Sequence, residues 1–450
     1  MKLKKWLALG LTFALAASSV FALAACDNDT PTPDDDDNKQ GNIGDNPGGD
    51  NDNIVYAQDF DEATEGLVYT EVYDNNNAVI GYSVGIGTAT EETSIYVPAV
   101  YEDGKPIISI GVDTRTFEKM LHSSGFDAMS TAEQISYMQQ YTISYTEQLT
   151  SIHLPETLKS FGYAAFMQCY ALQEIEIPKR ITEIPDYTFM LNISLSKVTF
   201  AANDKITYIG GWAFYDCISL SDITLPDSVD DIDQAAFSMS GTYDAYGKGL
   251  STIDFGTGVG SIGKEAFRGC GLTTITLPDS LAEMDESAFY LCRALKSVRI
   301  GKGLRTIPKE AFWGCEGLTT VSLGAVRRIE ENAFSSCTAL TSINFGDSLE
   351  IIGTTAFFAC TALEKVVLPD SIQQVGRYAF QACSKLEYVW LGSNLWNVEE
   401  NAFASKGNNM MPGHFYFHGT STEYAAVEGS GKPNSSIVQC IPGDAWNPYE

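Results

Sequence analysis

The chain has 450 residues and a formal net charge of −30, with 58 Asp and Glu against 28 Lys and Arg. Residues 1–26 carry three Lys and no acid, and residues 27–53 carry nine Asp and one Lys, which leaves a net charge of −25 on residues 54–450. A field of this sign repels phosphate, so nucleic acid and anionic membrane surfaces are poor partners. Basic segments, divalent cations and uncharged glycans stay compatible with it.

The first 26 residues predict a lipoprotein signal peptide. Lysines at the start precede an uncharged apolar run over residues 6–25, and residues 23–26 read Leu-Ala-Ala-Cys, a lipobox. Cleavage before Cys26 would leave this residue as a lipid-bearing N-terminus. The alternatives are an ordinary secretory signal with a chance Cys, or an uncleaved membrane helix. We expect a cell-surface protein on the outer face of the cytoplasmic membrane, or on an outer membrane if the source has one, with the lipid as its membrane contact.

Residues 27–53 predict a disordered acidic tether. Asp dominates this stretch and Ile43 is its one aliphatic residue, so it has too little apolar surface to fold. Repulsion between its charges favours an extended chain. Residues 36–41 resemble the start of a calcium-binding loop, but Pro47 stands where the chelating Glu belongs. The acidic run therefore gives no reason to expect a metal site.

A phrase of 22 or 23 residues recurs through residues 106–410, and its core is Ala-Phe-x-x-Cys. Copies with the Cys are centred on Phe166, Phe214, Phe267, Phe289, Phe312, Phe334, Phe357 and Phe380, and copies without it on Phe117, Phe189, Phe237 and Phe403. Leu318-x-x-Val321-x-Leu323 is typical of a short strand, which Gly or Pro ends; a second short strand and a helical turn before the Phe complete the unit. One unit cannot bury its own apolar face. The sequence therefore predicts a β-rich α/β solenoid, a leucine-rich-repeat superhelix of about twelve coils with a cap at each end.

Two departures from the repeat spacing predict insertions. The first interval between repeat Phe residues grows to 49 residues, and the surplus near residues 118–145 contains Ser130 and Glu133 at capping-box spacing. We expect a helix of about three turns to project there. A later interval of 30 residues predicts a loop over residues 241–247.

These repeats resemble the BspA-like leucine-rich-repeat family of bacterial surface proteins over most of the chain that follows the signal. Residues 272–292 match the family consensus, Leu-x-x-Ile-x-Leu-Pro followed by Ile-Gly-x-x-Ala-Phe-x-x-Cys, with Met284 and Asp285 in place of Ile-Gly. The resemblance implies an N-terminal cap over residues 54–105 and a C-terminal cap and tail over residues 411–450. It implies little about the ligand, because such families are grouped by core residues.

Eight of the ten Cys occupy one equivalent position per coil and predict a ladder along the solenoid. They are Cys169, Cys217, Cys270, Cys292, Cys315, Cys337, Cys360 and Cys383. An exported protein favours disulfides, and a coil spacing of about 5 Å brings some pairs within reach. Three coils have another residue at this position, and no Cys elsewhere is left without a disulfide partner as a result; the residues are Asn192, Ser240 and Lys406. This favours buried thiols that serve as small apolar spacers. A zinc array is disfavoured, because these Cys are far apart in sequence and no His accompanies them.

Catalysis has no support in the sequence. Gly258-x-Gly260-x-x-Gly263 has the spacing of a dinucleotide fingerprint, but Gly263 coincides with the repeat position of Gly353 and Gly376. The four His lie outside the repeated positions, and no nucleophile elbow accompanies them. We therefore expect no cofactor, no metal site and no enzymatic activity.

The outward residues of the first strand in each coil are expected to stack into one surface, which we call the inner wall. Ser and Thr dominate its middle, whereas Val367, Tyr388 and Trp390 at its C-terminal end are apolar or aromatic. The flat faces of Tyr388 and Trp390 suit a sugar or a partner's hot spot, unless the closing element folds over them as a cap. The candidate ligand-binding residues are Arg299, Asn344, Lys365, Val367, Tyr388 and Trp390.

Two function classes follow from these features. The first is a lipid-anchored, non-catalytic binding or adhesion module on the cell surface, with a protein or glycan as its partner. The second is a structural or scaffolding lipoprotein of the cell envelope. The repeats do not identify the ligand, because the residues that recur in them belong to the core and not to the contact surface.

Overall fold

The structure, a computed structural model, describes residues 63–111, 129–202, 205–238, 249–404 and 412–443. The chain divides into two compact units, Met1–Val55 and Tyr56–Glu450, and all described residues belong to the second. The predicted signal peptide with Cys26, the tether, the repeat at Phe117 and the loop over residues 241–247 lie outside the described residues.

Two series of short strands run along the solenoid, one per half-coil. The inner wall consists of β3 (Ser94–Tyr96), β5 (Ser151–His153), β7 (Glu174–Ile177), β9 (Lys197–Phe200), β11 (Asp222–Thr224), β13 (Thr252–Asp254), β15 (Thr274–Thr276), β17 (Ser297–Arg299), β19 (Thr320–Ser322), β21 (Ser342–Asn344), β23 (Lys365–Val367) and β25 (Tyr388–Leu391). The second series consists of β4 (Ile107–Ile110), β6 (Ser160–Phe161), β8 (Glu183–Ile184), β10 (Tyr208–Ile209), β12 (Asp231–Ile232), β14 (Ser261–Ile262), β16 (Glu283–Met284), β18 (Thr306–Ile307), β20 (Arg328–Ile329), β22 (Ile351–Ile352), β24 (Gln374–Val375) and β26 (Asn397–Val398). In the described part of the chain these strands make one pair for each predicted repeat, which confirms the leucine-rich-repeat solenoid.

Parallel pairing in register places equivalent residues of successive coils on top of one another. Val298 of β17, for example, pairs with Val321 of β19, and Val321 pairs with Ile343 of β21. The repeat Phe rings from Phe166 to Phe403 consequently form a stack with centroids 5.1–5.5 Å apart. All of them are fully buried. Truncating one such Phe to Ala would cost about 3–5 kcal/mol of stability.

The predicted helical turn before each Phe is wrong. In its place the backbone makes two kinds of hydrogen bond. The N–H groups of Ser287, Phe289 and Leu291 donate to carbonyls of the next coil at 3.0, 2.8 and 2.8 Å, whereas the N–H of Tyr290 donates to Ser287 O within the turn at 3.0 Å. This arrangement requires a left-handed residue two positions before the Phe, such as Ser287 with φ 59°. The equivalent left-handed residues are Ala164, Tyr187, Trp212, Ala235, Glu265, Glu310, Asn332, Thr355, Tyr378 and Asn401. Each costs about 1–2 kcal/mol, which the bonds to the next coil offset.

The N-terminal end is closed by a hairpin and a docked helix. β1 (Val68–Tyr73) and β2 (Val79–Gly85) pair antiparallel, and β2 continues the second series by pairing parallel with β4. The predicted helix exists as α1 (Thr131–Gln139), and its capping box between Ser130 and Glu133 is confirmed. Its C-terminal end does not project freely, because the N–H groups of Ile86 and Gly87, which follow β2, donate to carbonyls of Thr142 and Gln139 at 2.9 Å.

The C-terminal element lengthens the inner wall. β27 (His414–His418) pairs parallel with β25, and β28 (Val438–Ile441) pairs parallel with β27. Between these strands lie the short helix α2 (Ser421–Ala426) and a 3-10 turn (Ser435–Ile437). Phe415, Phe417 and Tyr424, each 1% exposed, cover the end of the core. Inward side chains of this element therefore cover the end of the core. Its described residues do not fold over the outer face of the inner wall.

Candidate binding surface on the inner wall

Four rings form a cluster at the C-terminal end of the inner wall, and we call them the aromatic patch: Tyr388 and Trp390 of β25 with His414 and Tyr416 of β27. Strand alternation puts them all on the outer face, because the residues between them, such as Val389 and Phe415, are buried. Parallel register then sets His414 beside Tyr388 and Tyr416 beside Trp390. His414 is exposed and the other three rings are half-buried.

The rings of the aromatic patch overlap face to face. Tyr388 and His414 have centroids 4.8 Å apart with 9° between their planes, and Trp390 and Tyr416 have centroids 4.9 Å apart with 18° between their planes. Parallel rings of this size cannot lie side by side at under about 5 Å, so each covers part of its neighbour. Lys365 places its Nζ 4.5 Å from the Trp390 centroid. The expectation of open, flat faces on Tyr388 and Trp390 is therefore wrong for the faces that overlap the β27 rings, and Lys365 covers a further part of Trp390.

Two His–carboxylate contacts connect the ends of β27 to the preceding coils. Nδ1 of His418 lies 2.6 Å from Oδ1 of Asp370, and Nε2 of His414 lies 4.0 Å from Oε1 of Glu387. Burial would raise the pKa of Asp370, but the Ser393 N–H, which donates to it at 3.0 Å, and His418 together hold this pKa below its usual range. The carboxylate of Asp370 thus stays charged and holds the strand that carries half of the patch.

The structure brings some of the predicted ligand-binding residues together and leaves others apart. Lys365 and Val367 lie in register with Tyr388 and Trp390 and border the patch directly. Asn344 is exposed one coil further away, and its Oδ1 accepts a hydrogen bond from the Gly346 N–H at 3.0 Å, so its side chain closes a local turn. Arg299 is exposed on β17, three coils before Lys365, or about 15 Å at strand spacing.

Sequence reasoning missed His414 and Tyr416 as members of this surface. Residues 414–418 read His-Phe-Tyr-Phe-His, and this strict alternation of buried Phe with outward polar or amphipathic rings was the available signal. Which strand would lie next to β27 could not be read from it. Ile437, just before β28, adds a further side chain with 44% exposure near the same end.

The Cys ladder runs through the core, away from this surface. All eight side chains are buried and free of disulfides, and from Cys217 onward each thiol donates to the carbonyl of the repeat Phe one coil earlier, at 3.1–3.3 Å. Burial raises the pKa of Cys169 and of Cys292 to about 12. Asn192 occupies the same position and accepts from the Cys169 N–H at 2.9 Å, while its Nδ2 has no partner. That the thiols are reduced in the native protein stays a prediction.

Two other kinds of feature are absent from the described ranges. No helix there combines the length and apolar character needed to cross a membrane. No three His, Cys, Asp or Glu side chains there gather closely enough to hold a metal ion.

The stacked coils and the exposed parallel sheet define a leucine-rich-repeat protein. The family model described as the BspA type leucine rich repeat region matches residues 117–244, 241–325 and 324–411, in six copies. This match spans more than half of the 450 residues, so the chain belongs to the BspA-type leucine-rich-repeat family.

Solved structures of similar proteins come from several bacteria. A leucine-rich repeat protein from Bacteroides ovatus is 21% identical, with 84% of this chain and 99% of that chain covered and a TM-score of 0.42. A leucine rich cell surface protein from Faecalibacterium prausnitzii is 22% identical, with 82% and 98% covered and a TM-score of 0.42. The pneumococcal vaccine antigen PcpA is 14% identical, with 85% and 98% covered and a TM-score of 0.34. Among curated proteins there is no significant match to the sequence.

Proposed function

We propose that the protein is a non-catalytic, lipid-anchored binding module of the cell surface, which contacts a protein or glycan partner through the C-terminal end of its inner wall. The aromatic patch is the observation that carries this proposal. Three of its rings are half-buried and one is exposed, although the strands beneath them already supply the core with their inward residues. Clustered apolar surface that the core does not use is typical of interaction sites.

The position of the patch supports the same proposal. Outward residues in the middle of the wall are chiefly Ser and Thr, and such a surface makes few strong contacts of its own. The patch adds four amphipathic rings, the Lys365 ammonium and the apolar Val367 within adjacent strands. Tyr and Trp with a nearby cation are the side chains that dominate binding energy at protein interfaces.

Anchoring through Cys26 completes the proposal and rests on the lipobox and the acidic tether. Two or three acyl chains on Cys26 would hold the protein stably in a bilayer, at about 0.8 kcal/mol per buried methylene. A random-coil segment of the length of the predicted tether would span about 30 Å on average. Metabolic labelling with a fatty-acid analogue tests this anchoring. The wild-type chain should be labelled and found in the membrane fraction, and the Cys26→Ala variant should lose both the label and the membrane association. Equal membrane partitioning of the two proteins without label would contradict it.

The binding role is tested on a combined array of glycans and extracellular-matrix proteins. The probe is the chain from residue 27 onward, which contains the whole unit Tyr56–Glu450. A specific signal should fall at least about fivefold in the double variant Tyr388→Ala, Trp390→Ala while the melting temperature changes little. A signal that persists in this variant would place the binding site elsewhere. If the array shows no specific signal and the double variant loses several kcal/mol of stability, the two rings have a structural role instead.

A further inference from the structure

Charged side chains are distributed unevenly along the inner wall. The N-terminal half, from β7 to β13, carries the exposed acids Glu174, Glu176, Asp222 and Asp254, against Lys197, which pairs with Glu174 at 3.5 Å. From β15 to β27 the outward positions carry Ser, Thr, Asn, Val, aromatic or basic side chains and no carboxylate. Acids outnumber Lys and Arg by 58 to 28 in the chain, so the absence of acids from half of this wall is a marked departure from its composition.

Two carboxylates that flank the aromatic patch lie close to His side chains. Glu387 precedes β25 and faces the His414 ring at 4.0 Å, and Asp370 follows β23 and contacts His418 and the Ser393 N–H. The exposed cations of the acid-free half are Arg299 and Lys365, which lie on the wall itself. On the strands of this half the outward charged side chains are therefore basic, although the molecule as a whole is strongly negative.

The geometry of the rings argues against a neutral sugar as the preferred partner. Sugar rings bind aromatic side chains through an open face, but in the patch the faces overlap one another and Lys365 lies over Trp390. Each overlap leaves the ring edges accessible, and these carry the positive part of the aromatic quadrupole. Edges of this kind pack against apolar side chains and attract negatively charged groups.

We propose that the partner is a polypeptide segment in which carboxylates stand beside aromatic or aliphatic side chains, and that it lies along the wall from β17 to β27. This inference rests on the proposed function and names the partner class for the same surface. Its acidic groups would meet Arg299 and Lys365, and its apolar groups would meet the patch and Val367. Five strand spacings separate β17 from β27, or about 24 Å, which an extended segment of about seven residues spans.

Selection from a random peptide library tests the partner class without assuming a sequence. Twelve-residue peptides displayed on phage would be selected on the wild-type chain from residue 27 onward, after depletion on the variant Tyr388→Ala, Trp390→Ala. Enriched peptides should combine Asp or Glu with Phe, Tyr, Trp or Leu. Their affinity should fall about tenfold with Lys365→Ala and on raising NaCl from about 0.05 to about 0.5 M. Lys197→Ala is the matched control, because Lys197 occupies the equivalent position on β9 and lies outside the acid-free half.

The outcomes separate this inference from the proposed function. Enrichment of Lys- or Arg-rich peptides, or equal losses with Lys365→Ala and Lys197→Ala, would overturn the inferred partner chemistry. Failure to enrich any peptide over the depleted background would overturn it as well. A neutral or uronate-bearing oligosaccharide that binds the wild type and not the double variant would leave the proposed function standing and refute a polypeptide partner. Peptide binding that survives the double variant would refute both.

Discussion

Raising the pH should destabilise this solenoid, because its core contains a column of buried thiols. Burial raises the pKa of six ladder Cys, two of them to about 12 against an ordinary value of 9.0. The six are Cys169, Cys217, Cys292, Cys315, Cys337 and Cys360. Nearby thiols add to the effect for Cys315 and Cys360, because two thiolates in one column would repel each other.

The size of the effect follows from the protons that each state binds. Below pH 9 both states keep their thiol protons, and stability does not depend on these groups. Between pH 9 and 12 the unfolded chain releases protons that the folded core retains, so the free energy of unfolding falls by about 1.4 kcal/mol per pH unit for each thiol. One unit above pH 9, six thiols together remove about 8 kcal/mol, which is comparable to the whole stability of a typical domain, about 5–15 kcal/mol. Half-buried Tyr side chains such as Tyr170, with a pKa raised to about 12 by partial burial, act in the same direction at higher pH.

Urea unfolding followed by circular dichroism between pH 7 and 10.5 measures this slope. The double variant Cys315→Ala, Cys337→Ala should be less stable at pH 7 but should lose stability less steeply above pH 9, by about 3 kcal/mol per pH unit. Cys440→Ala is the control: burial also raises the pKa of this half-buried thiol in β28, but its removal should reduce the slope by less than removal of a fully buried ladder Cys. Identical slopes for wild type and the double variant, or thiolate absorbance appearing in the folded protein near pH 10, would refute the argument.

Three further outcomes are expected. Cys337→Ser should cost about 1–3 kcal/mol of unfolding free energy in urea titrations, because a hydroxyl would replace a fully buried thiol that donates to Phe312 O; mass spectrometry showing native disulfides in the ladder would remove the premise. Tyr388→Ala with Trp390→Ala should weaken the binding of a selected peptide at least about fivefold in calorimetry and leave the melting temperature within a few degrees. Asp370→Asn should speed hydrogen exchange of the backbone amides in β27 and β28, because the contact with His418 is weakened. Since the pKa of Asp370 is depressed, the wild type should lose its protection from exchange as the pH falls below about 4. Protection that does not change over this pH range would contradict the role of the charge.

The regular part of the fold could be predicted from the sequence because equivalent residues repeat at a fixed period. When Phe289, Phe312 and Phe334 must all be buried and lie 22 or 23 residues apart, stacking in register is the arrangement that buries every one of them. The capping box of α1 was likewise local information, carried by Ser130 and Glu133 alone.

Features that depend on neighbouring coils could not be predicted in this way. Tyr187, Glu265 and Ser287 give no local preference for a left-handed backbone, and they adopt it because the next coil supplies carbonyl acceptors. The composition of the aromatic patch depends on β27 pairing with β25, which is a contact between strands separated by a break in the repeat. Sequence reasoning found Tyr388 and Trp390 because they are outward residues of a regular coil, and it could not show that their faces would be covered.

The stack of coils would have a mechanical consequence if the protein is anchored through Cys26 and bound at the aromatic patch, as proposed. Each coil contacts only its two neighbours, and the hydrogen bonds between coils, such as Phe289 N–H to Ala311 O, point along the direction of such a load. Under tension, coils would therefore detach one after another from an end instead of rupturing all at once. Every detached coil of 23 residues would release about 70 Å of slack. Anchored and bound in this way, the solenoid would lengthen under flow while the coils at the aromatic patch stay bound to the partner.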